Sequence, residues 1–195
     1  MDRRILRTRN AIKKAFVELL SENRDGKITV TEIADRANID RKTFYLHHES
    51  VDEMIKNFSK DAIEAFYKKL RERGFFDNPY DKSAIFLTLS AIIEDDEDFY
   101  RRLAGNEGCS VFWKEIENAL IALIIDVYAR EDLFTKSELN ICGRMFTAGA
   151  INLYKSWLMG EIGCSIKDLG IIASEMESRG IQGIIEFGKE RKNKK

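Results

Sequence analysis

The stretch ITVTEIADRANIDRKTFYLHHES, residues 28–50, decides how the chain folds. Thr29 and Glu32 stand at capping-box spacing, with Ile28 and Ile33 at the staple positions on either side, so a helix is expected to begin just after Thr29. Ile33, Ala34 and Ala37 give that helix one short apolar face before Asn38, a residue type that tolerates the left-handed conformation. Ile39 is placed to plug the core beneath the turn, Asp40 is a good N-cap, and residues 41–47 can form a second short helix. Ser50 and Glu53 repeat the capping box and open a long helix carrying Met54, Ile55, Phe58, Ala62, Phe66, Tyr67 and Leu70, which stops at Gly74.

Upstream, Ile12, Ala15, Phe16, Leu19 and Leu20 recur at helical spacing, so a first amphipathic helix is expected over about residues 8–23, ending before the Asp25-Gly26 turn. Two short helices crossing over a tight turn bury little alone and need a platform from the first and fourth helices. Such a unit can project its second helix into a DNA major groove, whose width admits one helix. Phe44 is then the inward packing residue, and Arg41, Lys42, Thr43, Tyr45 and His47 remain for the outer face. Arg7, Arg9, Lys13 and Lys14 put positive charge on the first half of a helix, against the macrodipole preference, which invites an outside anion. Arg3, Arg4, Arg7 and Arg9 read either as a disordered basic arm or as an arm that follows the DNA backbone or enters the minor groove.

The net charge of -1 conceals an asymmetry. Residues 1–73 hold 17 Lys and Arg against 13 Asp and Glu, residues 74–188 hold 10 against 19, and residues 189–195 hold 5 against 1. A footprint for phosphate confined to one end of the chain has this character, as does an ordinary solvated face.

TEIADRANIDRKTFYLHHES, preceded by RTRNAIKKAFVELL, resembles the DNA-binding domain of TetR-type transcriptional regulators over roughly residues 8–55. GAINLYKSWLMG, residues 149–160, resembles the variant C-terminal domain of Firmicutes regulators of that type. The resemblance implies an all-α homodimer, usually a repressor, with a helix-turn-helix domain over 1–50, a connecting fourth helix over 51–73, and a ligand-binding and dimerisation domain over 74–195. It places Thr43, Tyr45 and His47 where phosphates and bases are met, puts Arg41 and Lys42 at positions that tune operator choice, and adds Thr31 and Arg7 to the DNA-binding set. This chain departs from the pattern twice. His48 replaces the usual aromatic that closes the small domain, and Val51 stands where many members carry a phosphate-gripping lysine. Losing one such contact should flatten the salt dependence of binding by about one unit of slope.

Beyond Gly74, FFDNPYDK with the only proline, Pro79, reads as the joint between domains. Ile85, Phe86, Leu89 and Ile92 or Ile93 mark a helix after Asp81 that runs into the acidic cluster EDDED, 94–98, read as a solvated turn because it lacks the pattern of a calcium loop. Phe112, Ile116, Leu120, Leu123, Ile124 and Val127 mark the next helix, ending near Arg130. Thr135 and Glu138 cap another, carrying Leu139, Cys142, Met145, Phe146, Gly149, Leu153 and Trp157. A last helix from about residue 166 carries Leu169, Ile172, Ala173, Met176, Ile181, Ile184 and Ile185.

These last two helices are apolar over more than one stripe, which a two-fold pairing into a four-helix bundle would cover, with Ala148, Gly149 and Gly183 permitting close approach. A pocket for an unknown small-molecule effector is expected among Phe86, Phe99, Tyr100, Phe112, Trp113, Phe146 and Tyr154, although aromatics at helical spacing are more often plain core. Adjacent His47 and His48 point apart on a helix, and no acid or thiol joins them at ligand spacing, so neither a metal nor a cofactor is expected. Three cysteines without CxxC spacing argue against a disulfide framework. With both histidines in the helix-turn-helix and the glycines scattered, the inventory speaks against an enzyme. No apolar run is long enough to span a membrane, and the basic start lacks the apolar stretch of a signal peptide, which gives a cytoplasmic expectation. The partners expected are therefore double-stranded DNA, a second copy of the chain and an effector; the competing reading is a co-regulator of the same fold without autonomous DNA binding.

Overall fold

The computed structural model describes residues 3–22, 27–81, 83–131, 133–177 and 180. They form an all-α protein: α1 (Arg3–Glu22), α2 (Val30–Arg36), α3 (Arg41–Tyr45), α4 (Val51–Glu72), α5 (Ala84–Asp95), α6 (Glu97–Ala104), α7 (Ser110–Tyr128), α8 (Lys136–Leu158) and α9 (166–177). Short 3-10 turns at Glu107–Cys109 and Ala129–Glu131 bracket α7.

Local chemistry explains the N-terminal elements. Helix α1 buries Ile12, Ala15, Phe16, Leu19 and Leu20, the residues its periodicity singles out, but it starts at Arg3 rather than near residue 8. Arg3, Arg4, Arg7 and Arg9 are thus helical, not a disordered arm. The Thr29–Glu32 capping box is formed, and Asn38 takes the left-handed conformation with φ +52°. Asp40 caps α3, which ends at Tyr45; the backbone N–H groups of His47 and His48 then both donate to the Phe44 carbonyl, at 2.9 and 3.0 Å. Ser50 caps α4, but the Glu53 carboxylate reaches back to the N–H of Glu49 instead of Ser50, so this box is only half made. Gly74, at φ +76°, ends the α4 region in the left-handed region where a Cβ is strained.

Helix α6 is absent from the sequence reading, and the acidic cluster at 94–98, though exposed throughout, is more than a turn. It is the end of α5, a break at Asp96 and the first turn of α6, and four of its acids are paired: Asp95 with Lys69 at 3.1 Å, Asp96 with Lys13 at 2.6 Å, Glu97 with Arg101 at 2.6 Å and Asp98 with Arg102 at 3.3 Å. Cations supplied by α1 and α4 bind two of these acids, and the other two pair within α6.

The chain around Pro79 is anchored: Phe75 is 1% exposed, and the Tyr128 hydroxyl donates to the Pro79 carbonyl at 2.9 Å. One contiguous apolar cluster runs from Ile12 on α1 through α4–α8 to Ala173 on α9, with α7 packed most extensively on α8 and α4. Tyr154 of α8 donates to the Phe86 carbonyl of α5 at 2.7 Å, and the Ser90 hydroxyl, 2.9 Å from that of Tyr154, bonds the Ile166 carbonyl at 3.1 Å. At Gly170 a Cβ would stand 2.6 Å from the Ser90 oxygen, so a glycine is what lets α9 close on α5. Among the described residues no helix is long and apolar enough to cross a membrane.

Candidate nucleic-acid interface

Helices α2 and α3 sit on α1 and α4 as a helix-turn-helix. Arg36, at the end of α2, makes a two-pronged ion pair to Glu22 of α1 at 2.9 and 2.7 Å, with Glu18 at 3.5 Å, and these bonds from Arg36 hold the Glu22 carboxyl below its ordinary range. The Asp40 carboxylate accepts the Thr43 backbone N–H at 2.6 Å and the Thr43 hydroxyl at 3.1 Å. Those bonds, the backbone one foremost, lower the Asp40 pKa and fix the start of α3.

Phe44 is 0% exposed and pins α3 to the core, with Tyr45 edge-on to it at 5.7 Å. Phe44 is the one fully buried side chain of α3, so most of the helix's other residues face outward. Arg41, Lys42 and Tyr45 are exposed, Tyr45 at 49%, while Thr43 and His47 are half-buried. Thr31 lies exposed on the first turn of α2, and Arg7 lies exposed on α1. Leu46, 75% exposed beside Tyr45, is a surface residue that the sequence reading passed over; its offset of two from the inward Phe44 was the available signal.

The two departures have structural accounts. His48 is 3% exposed and packs between two aromatic rings, its ring centroid 5.6 Å from Phe44 and 6.4 Å from Phe58. Burial, the largest influence, pushes its pKa down, with Glu53 opposing. Val51 is half-buried against the core and faces a groove shared with Phe16, Ile55, Asn106 and Cys109. It packs, and offers no cation. The rings of His47 and His48 are 6.4 Å apart, and among the described residues no three His, Cys, Asp or Glu side chains are grouped to hold a metal.

Ion pairs fasten the first helix to the rest. Arg9 meets Asp61 of α4 at 2.8 Å, and Lys13, besides Asp96, places its ammonium 4.0 Å from the ring centre of Phe99 on α6. Phe99 packs edge-on against Phe58 of α4 and Phe112 of α7, at 5.8 and 6.0 Å.

Beyond that joint, a narrow cleft with about 50 Å³ of water-accessible space opens between α4, α5, α7 and α8. Tyr100, Phe112, Trp113 and Tyr154 line it, together with Phe66 and Tyr67 of α4, which the sequence reading placed in a helix but not in a pocket. Phe86, Phe99 and Phe146 are not on its walls: Phe86 packs on Phe146 at 5.4 Å, and Phe99 is turned to the α1 joint. Several polar wall atoms are already used, since the Trp113 indole donates to the Leu103 carbonyl at 3.2 Å and Tyr154 to Phe86.

On the far side, Ile141 and Met145 of α8 and Ile171, Ile172 and Met176 of α9 are exposed, with Ala148 and Gly149 on the surface among them. Ile181, Gly183, Ile184 and Ile185 lie outside the described residues. All three cysteines are free thiols, and burial pushes that of Cys109 up to about 12.

No family model matches the chain. Its N-terminal part is similar to an uncharacterized HTH-type transcriptional regulator, YxbF of Bacillus subtilis (strain 168), at 42% identity over 57 residues, which is 29% of this chain and 15% of that protein's length. The match therefore spans only a small part of that relative. Two solved structures share the fold over nearly all of this chain. The dihydroxyacetone kinase operon activator DhaS has a TM-score of 0.60 at 18% identity, covering 90% of this chain and 96% of the other. The fatty acid degradation regulator FadR from Bacillus halodurans has a TM-score of 0.64 at 13% identity, covering 91% and 96%. These likenesses correct the family resemblance read from residues 8–55 and 149–160: with the relatives named as HTH-type, DhaS and FadR regulators, the TetR-type assignment and its Firmicutes-type C-terminal domain do not stand. All three are named as regulators, and none as an enzyme.

Proposed function

We propose that the chain is a ligand-responsive, DNA-binding transcriptional regulator that reads a pseudo-palindromic operator as a homodimer. One observation carries this reading: α3 is anchored by Phe44 and the Asp40 cap, which leaves Arg41, Lys42 and Tyr45 outward on one short rod. Residues 1–50 supply the reading unit, 51–73 the connector and 74–195 the regulatory part. Arg41, Lys42, Thr43, Tyr45 and His47 meet bases and phosphates, with Thr31 and Arg7 on the flanking backbone. The exposed apolar stripe on α8 and α9 supplies the two-fold contact that sets the distance between two such rods.

Regulation follows from the route between cleft and joint. An effector with an apolar body suits walls of Phe66, Phe112 and Trp113. Tyr100 stands on the cleft wall and also faces the groove lined by Arg9, Lys13, Asp61 and Asp96, so a ligand that favours one setting of α6 also favours one setting of α1. The sign we propose is repression, relieved by the effector.

Selection of duplexes from a random pool by the full-length protein, followed by footprinting upstream of its gene, tests the reading. A palindromic site whose affinity falls steeply with salt is expected. Undetectable or salt-insensitive binding overturns it in favour of a co-regulator of the same fold.

A further inference from the structure

The chain contains only two histidines, and both lie at the end of α3. His48 is wedged between Phe44 of α3 and Phe58 of α4, and only one of its ring nitrogens is served. Its Nδ1 lies 3.2 Å from the Asn57 side-chain nitrogen and 3.4 Å from a Glu53 carboxylate oxygen, while Nε2 is buried without a partner. Asn57 donates its other bond to Glu53 at 2.5 Å, which ties the three side chains into one cluster.

The charges facing this ring come from three sides. Glu53 of α4 favours the imidazolium; Arg9 of α1, itself paired with Asp61 at 2.8 Å, and the neighbouring His47 oppose it. With the Asn57 amide donating to Nδ1, the neutral ring carries its proton on the partnerless Nε2, so a second proton goes to Nδ1, where it breaks the Asn57 bond and leaves a charged ring against the aromatic walls, in a seat from which water is excluded. Helix α3 has five residues and a single fully buried anchor, Phe44, so the wedge behind it carries a large share of what holds α3 in place.

We propose that His48 is an acid-sensitive latch: with a neutral ring it seats α3 against α4, and on protonation it leaves that seat and loosens the helix-turn-helix. The sign follows from burial, which holds the His48 pKa below the ordinary histidine value. The unfolded chain takes up the proton first as pH falls, so the stability lent by the neutral ring is complete above about pH 6.5 and is lost progressively below it. The latch goes beyond the DNA-binding reading and does not require it, because it can be read on the protein alone.

Hydrogen exchange on the full-length protein at pH 7.5 and pH 5.5, corrected for intrinsic rates, tests the latch. Protection of α3 and the first turns of α4 is expected to fall by up to about tenfold at the lower pH in the wild type, in His47→Gln and in Glu177→Gln, which removes the half-buried carboxyl whose pKa burial raises. In His48→Phe, which keeps a ring and removes the proton, the loss should vanish. An acid loss of the same size in His48→Phe, or no loss in the wild type, overturns the latch. Should His48→Phe misfold, an NMR titration of wild-type His48 decides instead: an ordinary or raised pKa refutes the proposal, and a depressed one supports it.

Discussion

The Lys13 ammonium lies 2.6 Å from a carboxylate oxygen of Asp96, in the break between α5 and α6, so α1 is fastened to the point where α5 gives way to α6. Asp96 flanks both helices yet makes no side-chain cap bond in either, because its carboxylate is turned to Lys13. Both partners are more than a third exposed, which makes this pair a weak source of stability.

The pair should therefore matter more for coupling than for folding. Lys13→Met is expected to move the urea midpoint little, by the equivalent of under about 1 kcal/mol, while changing affinity for the selected duplex several-fold. Urea titration beside fluorescence anisotropy checks both. A large loss of stability with unchanged affinity would assign the pair to the fold alone.

Tyr45→Ala should reduce binding to the selected duplex by at least about tenfold, the scale of a base- or phosphate-contacting aromatic. Helicity and dimer mass should not change, because the side chain is half in solvent. If circular dichroism shows unfolding instead, Tyr45 serves packing against Phe44.

A charge in the exposed stripe of α8 and α9 should split the proposed dimer. Met145→Glu or Ile172→Glu is expected to give a monomer by sedimentation with normal helicity, and to lose palindrome binding while keeping weak half-site binding. A dimer that survives both changes would place the two-fold contact elsewhere.

The Asp40 cap separates geometry from charge. Asp40→Asn keeps an oxygen for the Thr43 N–H, whereas Asp40→Ala leaves the start of α3 uncapped, so only the alanine variant should lower protection of α3 strongly. The Asp40 pKa is lowered in the fold, so its contribution is present above its ordinary carboxylate range and lost as pH falls below it. Hydrogen exchange at pH 7 and in mild acid separates this from the His48 effect, which sets in at higher pH.

How far the fold was legible varies with the range of the forces involved. The caps at Thr29, Asp40, Ser50 and Thr135 and the left-handed Asn38 depend on residues three or four positions away, and each stands where its local sequence puts it. Helix α6 was hidden because its support is distant: Lys13 reaches Asp96 across 83 residues, and Arg101 donates to the Leu158 carbonyl across 57. Read locally, five acids in a row suggest a solvated turn. The N-terminal arginines were misread for a related reason, since an arm and a helix differ little in composition.

From the sequence alone came an all-α chain with a helix-turn-helix near its start, a buried Phe44 and an exposed Arg41, Lys42 and Tyr45, because periodicity and caps record which side of a helix meets the core. Tertiary structure alone decided that Tyr100, Phe112, Trp113 and Tyr154 line a cleft while Phe86, Phe99 and Phe146 do not, and that Phe66 and Tyr67 join its walls. Helical spacing marks an inward face, but which neighbour that face meets, packed tight or across a gap, depends on how four helices are rotated and spaced against one another, and no stretch of sequence shorter than the whole carries that information.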